Sequence, residues 1–264
     1  MNKNSDLVIF VSTYGYRCIK TTDGIPIEVG AFGRENFVYK LHDDSGCNIS
    51  KENKYYGELT GLYWVWKNYD KSQIKYIGYS HYNKKLAITR KEIKEYLSTN
   101  EDGWIVAKKA SVAMHSDKCE WKIFVEVIND MYPEYYDYFK KIYGEYGESD
   151  CCNTLNMYIT TVEEFDKYCE FLFDILAEIR RRIGDNEKHK YDQRYCAFFA
   201  ERILTWYLLV NKKRIKEVKV KRKLNKKRLF HLILKGIPFM TKTKLYEKLR
   251  RRYRLDWADS SYFK

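Results

Sequence analysis

NKYYGELTGLYWVWKNYDKSQIKYIGYSHY, residues 53–82, reads as a helix followed by a strand. Tyr55, Leu59, Leu62, Tyr63 and Trp66 recur at helical spacing and predict a helix over 53–68. Ser50 and Asn53 supply its start signal. IKYIGYS, 74–80, is a short run of β-formers, read as a buried strand that ends at Ser80-His81-Tyr82.

The same alternation extends in both directions. LVIFVS (7–12) is a strand closed by Thr13-Tyr14-Gly15, and the glycine-rich stretch 23–50 reads mostly as loop. Further on, 90–98 reads as helix and WIVA (104–107) as strand. Residues 118–142 read as helix with a break near Pro133, and LNMYIT (155–160) as strand. Residues 163–183 and 191–209 are amphipathic helices, and VKV (218–220) is a last short strand. Strands alternating with helices specify a layered α/β fold. Ligands of such folds bind at the carboxyl ends of the strands. That rule singles out Ser12-Thr13-Tyr14, Ser80-His81-Tyr82 and the region after Thr160.

Composition narrows the class. The chain has 264 residues, 45% of them hydrophobic and only three proline, which excludes disorder and linker-rich architectures. Net charge is +13, yet residues 212–254 alone carry +17 while 1–211 carry −3. The basicity belongs to one C-terminal segment, so the expected boundary separates a body, 1–211, from a basic amphipathic tail, 212–264. Within the tail, LFHLILKGIPFM (229–240) lies between two cationic runs. Twelve residues are too few to span a bilayer but suit its anionic interface. With an uninterrupted aliphatic block and few aromatics, the tail favours a membrane surface over nucleic acid, with a solvated basic helix that ends the domain as the alternative. Seven cysteines at irregular spacing, without CxxC, argue for reduced thiols rather than zinc or disulfides. The short apolar run at the N-terminus does not read as a signal peptide, so the expected location is cytoplasmic.

Three clusters carry candidate chemistry. His42-Asp43-Asp44-Ser45-Gly46-Cys47-Asn48 offers hard oxygen ligands for a divalent cation, backbone N–H groups at Gly46 for a phosphate, or an ordinary Asx turn. Ser80-His81-Tyr82-Asn83-Lys84-Lys85, at a strand end, offers an imidazole and two ammonium groups to a phosphate, or a solvated turn. Arg194 and Glu201 stand two helical turns apart on one face, as a carboxylate with a tuned pKa or as a structural ion pair. The sequence contains no G-x-G-x-x-G, Walker, G-x-S-x-G or H-E-x-x-H motif.

Taken together, LHDDSGCNISKENKYYGELTGLYWVWKN and YIGYSHYNKKL resemble a bacterial family of capsular and exopolysaccharide glycosyltransferases first catalogued as a domain of unknown function. Val29-Gly30-Ala31, Asn156-Met157-Tyr158-Ile159 and the series Arg194, Phe198, Ala200, Glu201, Arg202 follow in the family's order. The likeness covers roughly 7–220. One departure stands out: where the family has His-Tyr-Arg-Arg-Tyr, this chain has His81-Tyr82-Asn83-Lys84-Lys85. That keeps positive charge but loses arginine's planar fork.

The resemblance implies a single Rossmann-like domain of the GT-A type. It also implies transfer of a sugar from a nucleotide diphosphate donor to a lipid-linked saccharide at the inner face of the plasma membrane. Some members transfer galactose or galactofuranose. The expected contacts to the nucleotide sugar are Thr13, Tyr14, Asp44, Asn48, Tyr82, Asn156, Arg194 and Arg202, with His81 and Glu201 as catalytic groups. Asp43 and Asp44 are the candidate ligands for Mn or Mg. Metal-independent transfer is the alternative, because no clear DxD motif occurs. Two other readings stay open: a non-catalytic polysaccharide-assembly partner of the same fold, and a nucleic-acid-binding protein acting through its tail.

Overall fold

The computed structural model describes residues 6–15, 24–111, 118–144, 151–185 and 193–222. The chain divides into two units, Met1–Lys221 and Arg222–Lys264. The tail beyond 222 lies outside the described residues, as do the membrane and nucleic-acid readings attached to it.

The first unit is a layered α/β domain. Its strands are β1 (Leu7–Thr13), β2 (Ile25–Glu28), β3 (Leu41–His42), β4 (Tyr76–His81), β5 (Lys84–Leu86), β6 (Gly103–Ala107), β7 (Ala110–Ser111), β8 (Cys151–Cys152), β9 (Tyr158–Thr161), β10 (Arg214–Val218) and β11 (Val220–Arg222). The helices are α1 (Asn53–Tyr56), α2 (Leu59–Asn68), α3 (Arg90–Ser98), α4 (Lys118–Met131), α5 (Pro133–Tyr143), α6 (Val162–Ile183) and α7 (Tyr195–Val210). The central sheet has seven strands in the order β10-β6-β9-β4-β1-β2-β3, and all neighbours are parallel except those of β9. The pairs β5–β11 and β7–β8 form two small sheets.

Side-chain alternation along the strands builds a core on each face of the sheet. Phe10, Ile77, Tyr79, Trp104, Val106 and Tyr158 point into the larger core, which is closed by helices α1, α2 and α4 to α7. Leu7, Tyr76, Ile105, Ala107 and Ile159 point the other way, against α3. The abundant aromatics go largely into this packing. Trp104, Trp121, Trp206, Tyr79, Tyr143, Tyr158 and Tyr168 are all fully buried.

Several element readings need correction. The helix expected over 53–68 is broken at Gly57, whose φ of 56° and ψ of −129° separate α1 from α2. The strand expected at 155–160 begins only at Tyr158, because Leu155 (φ 78°) and Asn156 (φ 48°) form a left-handed turn. The stretch 23–50 holds two short strands, β2 and β3. VKV falls across the junction of β10 and β11. Since β10 is hydrogen-bonded in parallel to β6, the body expected to close at 211 extends through Lys221. The break at Pro133 is as expected: α5 begins on that proline, where a missing N–H costs nothing.

Candidate functional site

From β1 the chain moves outward to β2 and β3, then returns past β1 to place β4 on its other side. Strand order therefore reverses between β1 and β4, and a crevice opens at the carboxyl ends of such a pair. The register puts Ser12 beside His81, Thr13 beside Glu28, and Glu28 beside His42. Four parallel strands thus finish along one edge, with His81 and His42 three spacings, roughly 14 Å, apart.

The reversed strand β9 completes this edge. Its pairing sets Tyr158 opposite Tyr79, so Asn156 falls opposite His81. The Leu155–Asn156 turn therefore lies at the carboxyl end of β4. His81 Nε2 donates to the Leu155 carbonyl at 2.6 Å, and the Leu155 N–H donates to Glu201 Oε1 at 2.6 Å. Asn156 Nδ2 donates to Glu58 Oε1 at 3.0 Å and to the Ala197 carbonyl at 3.1 Å. Arg194 donates to the other oxygen of Glu58. Tyr79, buried in the core, donates its hydroxyl to the Glu58 carbonyl at 2.6 Å.

Two groups grip the backbone of Leu155, His81 at its carbonyl and Glu201 at its N–H, each with one atom, and each keeps a second. Because Nε2 is the donor, neutral His81 carries its lone pair on Nδ1. Neither that nitrogen nor Glu201 Oε2 has a hydrogen-bond partner among the described residues. Burial, opposed by the charge of Glu58, lowers the His81 pKa to about 4, so the ring is neutral at physiological pH. Burial raises Glu201 to about 7; the Leu155 N–H holds it down and the Glu58 charge pushes it up. Burial also opposes ionisation of Glu58, but the Arg194 charge and the Asn156 hydrogen bond outweigh it and hold this carboxyl below the usual range. The edge therefore carries a permanent anion, a neutral imidazole and a carboxyl poised to exchange a proton near neutrality.

The structure places the expected residues unequally. It gathers His81, Asn156, Arg194 and Glu201 around the Leu155 peptide, with Thr13, Tyr14 and Tyr82 at the adjoining strand ends. The Tyr82 N–H donates to the Ser12 carbonyl at 3.0 Å. Arg194 and Glu201 are not partners of each other: Arg194 sits just outside α7 as its N-cap residue and turns to Glu58. Arg202 is buried in the helical layer, with its guanidinium carbon 5.9 Å from the Trp121 ring centre and a bond to the Phe198 carbonyl, and its charge helps to hold down the Glu201 pKa.

Asp43 and Asp44 do not fit the cation-holding role expected of them. The fully buried Asp43 carboxylate accepts from Gly30 N (2.8 Å), Ala31 N (2.9 Å), Ser50 Oγ (2.5 Å) and Thr60 Oγ1, which uses its lone pairs. Asp44 pairs with His42. Asn48 closes a local turn, donating to Gly46 O and accepting from Ser50 N, so the Asx-turn reading of this loop applies. Among the described residues, no three His, Cys, Asp or Glu side chains converge as a cation site.

With this geometry in view, residues 8–213 match the family model described as "Domain of unknown function (DUF4422)". The chain belongs to the DUF4422 family. Among solved structures, the DUF4422 domain is similar to one titled "WbbM bifunctional glycosytransferase apo structure", with a TM-score of 0.70 at 22% identity. The alignment covers 83% of this chain and 45% of that one, so the DUF4422 chain spans less than half of its neighbour's length. At that identity the likeness shows a shared fold. No curated protein matches the chain.

Glu58 is the site residue that sequence reasoning passed over. It opens the ELTGLYW block of the DUF4422 domain, yet the helical pattern there directs attention to the apolar residues. Its partners Arg194 and Asn156 lie 136 and 98 positions away. The only available signal was an acid beside a glycine at the head of a helix.

Proposed function

We propose that this DUF4422 domain is a glycosyltransferase that moves a sugar from a nucleotide diphosphate donor to a saccharide hydroxyl. The observation that carries the proposal is that His81 and Glu201 hold the carbonyl and the N–H of one residue, Leu155, and each keeps a second polar atom with no hydrogen-bond partner among the described residues, at the point where strand order reverses. The shared fold with a glycosyltransferase supports it.

In this reading the nucleotide lies over the ends of β1 and β4, against Thr13, Tyr14 and Tyr82. The acceptor oxygen attacks the anomeric carbon while the bond from that carbon to the diphosphate oxygen breaks. Glu201 takes the acceptor's proton at Oε2, for which a pKa near neutrality is well suited. The nucleoside diphosphate leaves, with Lys84 and Lys85 placed after β4 to offset its charge. His81 Nδ1 accepts a hydrogen bond from a sugar hydroxyl. No step passes through a metal.

The finer reading follows from the residues of the resemblance. The acceptor is lipid-linked, the product enters capsule or exopolysaccharide, and the tail holds the enzyme at an anionic inner membrane surface. A thermal-shift screen of nucleotide diphosphate sugars, with chelator and with Mn or Mg, tests donor and metal together. The expected result is a raised midpoint with one donor class in chelator, and release of nucleoside diphosphate on adding acceptor. No shift with any donor, with or without metal, refutes the proposal. Binding without turnover would make the chain a non-catalytic partner.

A further inference from the structure

The loop between β2 and β3 has an unusual construction. Phe32 is 58% exposed and Val38 56%, and both lie on this one ten-residue stretch. Exposed loops with no task are normally polar and loosely held. This one is pinned by two carboxylates that are themselves fully buried. Glu28 accepts from Val38 N, from Tyr39 N at 2.7 Å and from Arg34 at 2.6 Å. Asp43 holds Gly30 N and Ala31 N, and the Ser50 hydroxyl that donates to it also accepts from Phe32 N at 3.0 Å. Two bare apolar side chains therefore project from backbone that buried charges hold in place, although burying a carboxylate is costly.

The surroundings indicate what covers them. Exposed Lys40 and Lys51 flank the pair, and Lys51 Nζ lies 5.9 Å from the Phe32 ring centre. Arg34 stands between the two residues in sequence, but its charge is paired with the buried Glu28, so Lys40 and Lys51 carry the positive charge there. The only acid among residues 31–40 is Glu35. Apolar tips above a cationic collar match the boundary between acyl chains and anionic headgroups. The loop follows Glu28 at the carboxyl ends of the strands, on the edge that carries His81.

We infer that the 31–40 loop is a lipid-contact surface, which inserts Phe32 and Val38 into an anionic membrane with Lys40 and Lys51 at the headgroups. It acts independently of the basic tail and would aim the carboxyl edge at the bilayer.

Sedimentation of the full chain with vesicles containing phosphatidylglycerol tests this without any donor, so the outcome is separate from that of the proposed transfer. In about 1 M salt the screening length falls to about 3 Å, which suppresses purely ionic attachment by the tail. Wild type is expected to retain binding there. Phe32→Ser with Val38→Ser should weaken it about 10- to 100-fold, since each side chain loses part of its transfer energy. The thermal midpoint should stay at the wild-type value. Equal high-salt binding by wild type and variant overturns the inference, as does an absence of high-salt binding by wild type. A wild-type dimer in light scattering that the double substitution dissolves also overturns it, because the loop would then be a protein interface.

Discussion

Glu201 has an environment that works against its charge, and this makes it testable. Its pKa rises from 4.5 in the open chain to about 7 in the fold. A raised carboxyl binds more protons folded than unfolded, so stability is highest below pH 4.5 and declines as pH climbs through 7. Glu201→Gln removes that penalty. Its thermal midpoint should exceed wild type at pH 8, by on the order of 3 kcal/mol or roughly 6–12 °C, and match it near pH 4. Turnover in the same variant should fall 10²- to 10⁴-fold, as for loss of a general base. Because Glu58 pushes the Glu201 pKa upward, Glu58→Gln should move the rising limb of the pH–rate profile to lower pH. A profile left in place would show that Glu58 serves only the fold. His81 and Glu201 were legible in the sequence from their positions at a strand end and on a helix face. Glu58 was not, because its meaning comes from Arg194 and Asn156, which only folding brings near.

Gly57 is where one expected helix becomes two. Periodicity carried 53–68 as a single element, since its apolar spacing continues through the break. The backbone there adopts a φ of 56°, and a Cβ at this position would lie 2.5 Å from Arg194 Nη2. The glycine therefore allows the left-handed turn and leaves room for the guanidinium that reaches Glu58. Gly57→Ala should lower stability by about 1–2 kcal/mol from the backbone alone, read as a drop in the thermal midpoint. The strand expected at 155–160 was misread for the same reason: Leu155 and Asn156 look like strand residues locally, and hydrogen bonds to His81, Glu201, Glu58 and the Ala197 carbonyl hold them in a turn. Long amphipathic elements such as α6 were legible almost to the residue, because their buried stripe repeats over many turns.

The whole chain separates its charge from its proposed chemistry. Of the net +13, residues 223–264 carry +10. A cut at 212 would remove β10 from the central sheet, so a clean deletion begins after Arg222. Deleting 223–264 should weaken membrane partitioning at low salt to the salt-resistant share that the 31–40 loop supplies, while the donor-induced thermal shift survives. Unchanged partitioning would refute the role of the tail. The boundary was misjudged by about ten residues because a basic edge strand and a basic tail look alike in composition.

The reversed strand β9 constrains how this site can change. Its first residues follow directly from the clamped peptide, its last residue caps α6, and between them Tyr158 and Ile159 belong to opposite cores. A slip of one position would exchange a phenol and an isoleucine between cores shaped for the other. The strand behaves as a notched bolt rather than a sliding rail. Under the proposed function, new acceptors would come from swapping side chains around a stationary Leu155, and an inserted or deleted residue in β9 would abolish the fold before it altered the proposed chemistry.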